Sequence, residues 1–202
     1  MREKSATNDR MLARIAARQH GVVSVAQLEA SGIDKDAARR RVEGGRLHRV
    51  HRGVYAVGHD RLTFEGRCLA AALACGDRAV VSHRSAAAVW DLLPPSPGPI
   101  DVTVPGRSGR KRRDGIRVHR APTLGAGDVT RRSNVPVTKP ARTLRDLSRS
   151  YPAALAQRAQ RRALDKRLVT SAELGPDPDL IAANWSGSCG GSAGAAVCPS
   201  RR

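Results

Sequence analysis

The chain has 202 residues, with 36 Lys and Arg against 18 Asp and Glu, which gives a formal net charge of +18. This length allows one or two small domains with modest cores, and no apolar run is long enough for a membrane span or a secretion signal. We therefore expect a cytoplasmic protein whose basic surface binds a polyanion, most often nucleic acid.

Two features of the composition bear on which polyanion the protein binds. Aromatic residues make up only 2% of the chain, whereas proteins that bind single strands or RNA loops need aromatic stacking platforms. The composition thus favours duplex DNA. The basic residues are spread along the whole chain, and part of their excess could reflect the coding bias of an Arg-, Ala- and Gly-rich protein.

Two helices are predicted near the N-terminus. The first runs from about Asn8 to Gln19 and carries an apolar stripe formed by Met11, Leu12 and Ile15. Ser24 can cap a second helix that has Val25 and Leu28 on one face. Gly32 would end that helix, since glycine adopts a left-handed φ without penalty.

A third helix is predicted directly after this turn. Asp34 is a suitable N-cap, and the helix runs through DKDAARRRVE to the pair Gly44-Gly45. Ala38 and Val42 lie four residues apart and are predicted to pack inward. The opposite side of the helix would carry three cations, Lys35, Arg39 and Arg40.

A basic β-ribbon follows the two glycines. Its apolar positions (Leu47, Val50, Val54 and Val57) are mixed with Arg and His, which is typical of two short strands. Three helices followed by such a ribbon predict a winged helix-turn-helix, a module that places one helix in the DNA major groove. An Arg-rich helix face alone is more often a solvated surface, so the prediction depends on the whole arrangement.

This arrangement predicts three sets of DNA contacts. Lys35, Arg39 and Arg40 would enter the major groove. Ser24 or Gln27, on the preceding helix, would contact the backbone. The ribbon would follow the minor-groove phosphates through Arg46, His48, Arg49, His51 and Arg52.

The second half begins with alternating helices and strands. A helix over 62–76 is predicted to end at Gly76, and Val80 and Val81 indicate a short strand. Ser82 would cap a helix that carries Ala86, Val89, Trp90 and Leu93 and ends at Pro94-Pro95. Two period-two strands follow, around Val102 and Val118, and we expect them to pair.

A basic loop joins these two strands. It contains Arg107, Arg110, Lys111, Arg112 and Arg113. Such a loop could bind phosphates of the DNA next to the wing, or it could be a solvated, mobile connection, and the sequence favours neither interpretation.

The last predicted elements complete a small domain. Val135 and Val137 indicate a strand, after which Thr138 would cap a helix with Pro140 in its first turn and Leu144 and Leu147 buried. A basic amphipathic helix over 153–168 would turn Leu155, Ala159 and Leu168 inward and Arg158, Arg161 and Arg162 outward. It could close its own domain or bind a partner.

The predicted fold class is α+β with three parts. Residues 1–59 form the winged helix-turn-helix, residues 60–169 a small mixed α/β domain covered by helices, and residues 170–202 a disordered tail rich in Gly, Ser, Pro and Ala.

No catalytic or metal site is predicted. The chain has no P-loop and no GxSxG elbow, and its four cysteines lack zinc-like spacing. His83 beside Ser82 and Ser85 is the nearest approach to a base and nucleophile, but no orienting carboxylate is evident. We therefore expect neither enzyme activity nor a cofactor.

The run SGIDKDAARRRVEGGRLHRVHRGVYAVG resembles the N-terminal domain of AbiEi antitoxins, which belong to type IV toxin-antitoxin systems. The similarity continues through AVVSHRSAAAVWDLL, IDVTVPG, GIRVHRAP and VPVTKPARTLRDL, so it covers roughly residues 8–168. The resemblance implies a transcription regulator that binds its own operator as an autorepressor. It further implies a second domain with antitoxin activity and a nucleotidyltransferase toxin encoded nearby as its opponent.

Two alternatives stay open. Many similar chains continue into a Vsr-like nuclease domain of the PD-(D/E)XK type, whose acidic and lysine motif is missing here, so the chain could be a remnant left by truncation or frameshift that retains only a targeting module. Alternatively, residues 60–168 could act mainly through protein interaction. Operator recognition would require a homodimer or two protomers on inverted repeats.

Overall fold

The computed structural model describes residues 2–106 and 113–174, with side chains from residue 7 onward. Arg107, Arg110, Lys111 and Arg112 of the predicted basic loop lie outside the described residues, as do residues 175–202, where most of the predicted tail falls. The mixed α+β class predicted from the sequence is confirmed.

The N-terminal unit contains three helices and a small antiparallel sheet. Its elements are α1 (Arg2–Arg18), β1 (Val22–Ser24), α2 (Val25–Ala30), α3 (Lys35–Glu43), β2 (Leu47–His51) and β3 (Val54–Val57). The strand order is β1-β3-β2, and the helices pack on one face around Leu12, Leu28 and Ile33. This element order is that of a winged helix. Strand β1 was not predicted, because three residues are too few to show a period.

The predicted starts of α2 and α3 are confirmed, whereas α1 begins at Arg2 rather than near Asn8. The Ser24 hydroxyl accepts a hydrogen bond from the Gln27 backbone N–H while the Gln27 side chain accepts one from the Ser24 N–H, forming a capping box. Asp34 caps α3 by accepting from the Ala37 N–H at 2.7 Å. Gly32, with φ +75°, supplies the left-handed residue just beyond α2.

Two predicted core positions of this unit are wrong. Met11 is 50% exposed, because α1 turns Leu12 and Ala16 toward the other helices. Val42 is also exposed, and Arg41 is buried in its place. The inward stripe of α3 runs from Ala38 to Arg41 because positions three apart, like those four apart, share a helix face.

The second half is built on a five-stranded sheet of order β6-β5-β4-β8-β7. Its helices are α4 (Phe64–Cys75), α5 (His83–Val89), α6 (Pro140–Ser150), α7 (Ala153–Asp165) and α8 (Ser171–Leu174). Its strands are β4 (Val80–Val81), β5 (Ile100–Pro105), β6 (Ile116–Ala121), β7 (Val129–Arg132) and β8 (Val135–Thr138). The predicted pairing of β5 with β6 is confirmed, and it is parallel.

Four helix boundaries of the second half differ from the prediction. Helix α4 begins at Phe64 rather than at residue 62. Helix α5 ends at Val89 rather than before Pro94, since Asp91 adopts a left-handed φ of 55°. Lys139, not Thr138, is the N-cap of α6; the Thr138 hydroxyl is instead buried and bonded to that of Thr143. Helix α7 ends at Asp165, which leaves Leu168 half-buried beyond it.

The sheet of the second half has one apolar and one polar face near β5 and β6. Ile100, Val102 and Val104 pack in one cluster with α4, whereas Asp101 and Thr103 lie on the face toward α5. Val22 and Val54 of the N-terminal unit join the α4 cluster. Hydrophobic packing therefore crosses the predicted boundary between residues 59 and 60.

Candidate functional site

The outer face of α3 presents the three cations predicted for the major groove. Lys35, Arg39 and Arg40 are all exposed, and the Arg39 side chain is 69% accessible. Arg39 lies 3.7 Å from both Asp36 and Glu43 of the same helix. Because exposed pairs of this length contribute little free energy, the Arg39 guanidinium is available to a stronger anion such as phosphate.

Buried Arg41 fixes this helix against the rest of the unit. Its Nη2 donates to the Asp9 carboxylate of α1 at 2.7 Å, and Nη1 donates to the Ala37 carbonyl. Its side chain is only 10% exposed. One arginine of the run Arg39-Arg40-Arg41 thus positions α3, while the other two face outward.

The ribbon residues that are predicted to contact phosphates do not all lie on the same face of the N-terminal sheet. Arg46, Arg49 and Arg52 are exposed. Arg49 lies opposite Tyr55 on the sheet face that carries the three helices. These arginines form the basic part of the wing.

His48 and His51 are placed differently from the three arginines. His48 pairs with buried Ala56, and its side chain lies on the face of Val22 and Val54, toward α4. His51 is half-buried, and burial, followed by the nearby Arg113 charge, lowers its pKa. A neutral His51 would bring no charge to a phosphate.

The polar groups of Ser24 and Gln27 are already engaged within the protein. Besides the capping box, Gln27 exchanges two side-chain hydrogen bonds with Gln19, at 3.0 and 2.8 Å. Their predicted role at the DNA backbone stays a prediction.

Two contacts join the N-terminal unit to the turn between β7 and β8. A ring nitrogen of His20 lies 2.6 Å from the Ser133 carbonyl, and the Asn134 amide donates to the Arg18 carbonyl at 2.7 Å. These bonds, with the shared α4 cluster, set the orientation of α3 relative to the second half.

A buried polar network occupies the polar face of β5 and β6. The Asp101 carboxylate lies 2.9 Å from His119 Nε2 and accepts from the Tyr151 hydroxyl at 2.9 Å. Arg117 donates to that hydroxyl at 2.8 Å. Burial raises the pKa of Asp101, but these hydrogen bonds outweigh it and leave the pKa below its ordinary value.

A second group of polar side chains adjoins Asp101. The Thr103 hydroxyl donates to Ser82 at 2.7 Å, and His83 Nδ1 lies 2.9 Å from the same Ser82 oxygen. The His83 and His119 rings stack with centroids 3.6 Å apart. His83 has a φ of 49°, a conformation that costs a non-glycine residue about 1–3 kcal/mol. Burial lowers its pKa to about 4.

These residues do not form a nucleophile triad. The carboxylate missing from the sequence pattern is Asp101, but it pairs with His119 rather than with His83. The Ser82 hydroxyl is buried and already bonded to Thr103 and His83, so it is not held as a free nucleophile. Sequence reasoning missed Asp101, His119 and Tyr151 as partners. The alternation of polar residues in the two strands was visible and helices were expected over the sheet, but the local pattern did not show which of these polar residues would pair.

Two other features are absent from the described residues. No group of three His, Cys, Asp or Glu side chains is arranged to hold a metal ion in that part of the chain. Among its helices, none combines the length and the apolar character needed to cross a membrane.

The N-terminal unit is similar to a known protein family. Residues 10–58 match the family model described as a transcriptional regulator, AbiEi antitoxin. The match runs from the middle of α1 to the end of β3 and confirms the resemblance found in the sequence over these residues. The segments between residues 79 and 147 that extended the resemblance stay a prediction. No curated protein matches the chain.

Proposed function

Because residues 10–58 match antitoxin transcriptional regulators, we propose that this chain represses transcription by binding duplex operator DNA through its winged helix. The observation that carries the proposal is the exposed basic face of α3, which the ion pair of buried Arg41 with Asp9 holds beside a basic wing. A helix presented in this way fits the major groove.

The contacts would be divided by position. Lys35, Arg39 and Arg40 would face base edges and adjacent phosphates in the major groove, where arginine pairs bidentately with guanine. Arg46, Arg49 and Arg52 would bind phosphates beside it. Ser24 and Gln27 would approach the backbone only through groups that the capping box leaves free.

One winged helix alone would bind weakly, so we propose that two protomers occupy an inverted repeat. The autorepressor would in addition counteract a nucleotidyltransferase toxin encoded nearby, as the resemblance to type IV antitoxins implies. Because the hydrophobic cluster around α4 spans both halves, point variants of the full chain suit the test of these roles better than isolated halves.

A gel shift with matched charge variants tests the proposed interface. The triple variant Lys35→Ala/Arg39→Ala/Arg40→Ala removes three exposed cations from α3. The control Arg158→Ala/Arg161→Ala/Arg162→Ala removes three exposed cations from α7. The probe is duplex from the DNA upstream of the gene.

We expect the α3 variant to lose about 1–3 kcal/mol of binding free energy per base-reading residue, whereas the α7 variant binds nearly as the unmodified chain does. Equal losses for both variants would mean that only total charge matters, and would contradict the assignment of α3 as the recognition helix.

A further inference from the structure

A cavity of about 320 Å³ opens beside the buried polar network, between α5, the end of β6 and α6. This volume is near the lower limit of about 300–1,000 Å³ for small-molecule sites, which suits a ligand the size of a mononucleotide. The residues that line the cavity belong to the second half of the chain, and none of them takes part in the proposed DNA contacts.

The cavity wall contains a hydrogen-bond acceptor without a partner. Asp146 Oδ1 accepts from Arg142 Nε at 2.9 Å, but Oδ2 is buried and makes no hydrogen bond. The Asp146 side chain is only 8% exposed. A buried carboxylate oxygen left unpaired is costly, so a ligand N–H or O–H that reached it would gain a charge-assisted bond.

Other groups of the wall match the remaining parts of a nucleotide. His83 and His119 both line the wall with their rings stacked on each other, and a ring face turned away from its partner is a surface of the kind on which bases stack. Arg149 is exposed and has no ion pair among the described residues, whereas Arg142 is already neutralised by Asp128 and Asp146. Of the three arginines in the wall, Arg120, Arg142 and Arg149, only Arg149 is exposed, so we assign the phosphate to it.

We propose that this cavity binds a nucleoside monophosphate, with the base against the His83–His119 pair, a nucleoside donor on Asp146 and the phosphate on Arg149. The site goes beyond the proposed operator binding and does not depend on it.

Calorimetric titration of the full chain tests the site. The probes are the four ribonucleoside 5′-monophosphates, ribose 5-phosphate and inorganic phosphate, at a salt concentration that screens surface charge. The variants are Asp146→Asn, Arg149→Ala and the control Arg158→Ala, which removes an exposed cation from α7. Circular dichroism melts check that each variant is folded.

We expect at least one nucleotide to bind at one site per chain, with affinity lowered about tenfold or more by Asp146→Asn. The direction of this change is diagnostic. Nonspecific attraction of a phosphate to a basic protein would strengthen when a negative charge is removed, whereas a site that needs the Asp146 acceptor weakens. Arg149→Ala should also weaken binding, and Arg158→Ala should leave it unchanged.

Three results would overturn the proposal: no nucleotide binds, inorganic phosphate or ribose 5-phosphate binds as well as the nucleotides, or binding survives both Asp146→Asn and Arg149→Ala. Because Arg149 is exposed, its variant keeps the test decisive if Asp146→Asn does not fold.

Discussion

The N-terminal unit and the second half use charged residues in opposite ways. On α3 and the wing, cations are exposed; the Arg39 side chain, for example, is 69% accessible and has only loose partners. On β5 and β6, the Asp101 side chain is 2% exposed and is surrounded by His119, Tyr151 and Arg117. The first arrangement suits an external polyanion, and the second fixes the interior.

Because of this difference, substitutions in the two regions should change DNA binding and the free energy of unfolding independently. Substituting an exposed cation should change binding and leave the free energy of unfolding nearly unchanged. Substituting a partner in the buried network should do the reverse, because it leaves other polar groups buried and unpaired.

The largest effect is expected for Asp101→Ala. It leaves His119 and Tyr151 without their common partner, and we expect a loss of about 3–5 kcal/mol in the free energy of unfolding. Urea denaturation measures the loss, with exposed Asp165→Ala as the control. If Asp101→Ala were neutral, the network would not stabilise the fold.

Acidification is the next largest perturbation. The pKa of His83 is lowered by burial from 6.5 to about 4, so below pH 6.5 the unfolded chain takes up a proton that the folded chain resists. The stability contribution is complete above that pH and is lost as the pH falls, by about 2 kcal/mol near pH 4.5. Urea denaturation as a function of pH measures this.

The variant His83→Asn provides the control, since asparagine tolerates the left-handed φ at this position. It should remove the large His83 part of the pH dependence between about pH 6.5 and 4.5, while the part due to His51, whose pKa burial also lowers, remains. A variant that loses stability with pH as steeply as the unmodified chain would assign the effect to another group.

A smaller effect is expected at the start of α3. Asp34→Ala removes the acceptor for the Ala37 N–H and should cost about 1 kcal/mol of unfolding free energy. Asp34→Asn, which retains a capping oxygen, should recover most of the loss. Equal losses in the two variants would mean that capping does not explain the stabilisation.

The smallest effects are expected from single substitutions in the wing. Arg49→Ala or Arg52→Ala should weaken binding to every duplex alike and reduce the log-log salt slope by about 0.9 each. His51→Ala should leave that slope unchanged above neutral pH, because burial lowers the His51 pKa. A reduced slope for His51→Ala would show that it does contact phosphate.

A feature of this structure can be predicted from the sequence when the residues that interact are close together along the chain. Ser24 and Asp34 cap their helices through bonds that span three residues, so local sequence was sufficient to predict them. The wing was predictable because two short strands joined by a tight turn are also local. The helical period also predicted that Lys35, Arg39 and Arg40 lie on the outward face of α3.

Long-range contacts were not predictable in this way. Arg41 reaches Asp9 across 32 positions, and Tyr151 reaches Asp101 across 50. The helical period could not distinguish Val42 from Arg41 as the inward residue, because the deciding partner lies on α1. In the same way, alternation in β5 predicted a polar face and helices were expected over the sheet, but the partners of Asp101, which are His119 and Tyr151, could not be derived from local sequence.

Above all, we propose that α3 and the wing recognise a specific duplex. The most direct test is a salt-titrated gel shift of the full chain on its upstream duplex and on a scrambled duplex of the same composition. We expect selective binding to the upstream duplex, with a log-log slope near −5 if about six phosphates are contacted. Equal affinity for both duplexes, or an affinity independent of salt, would contradict the claim.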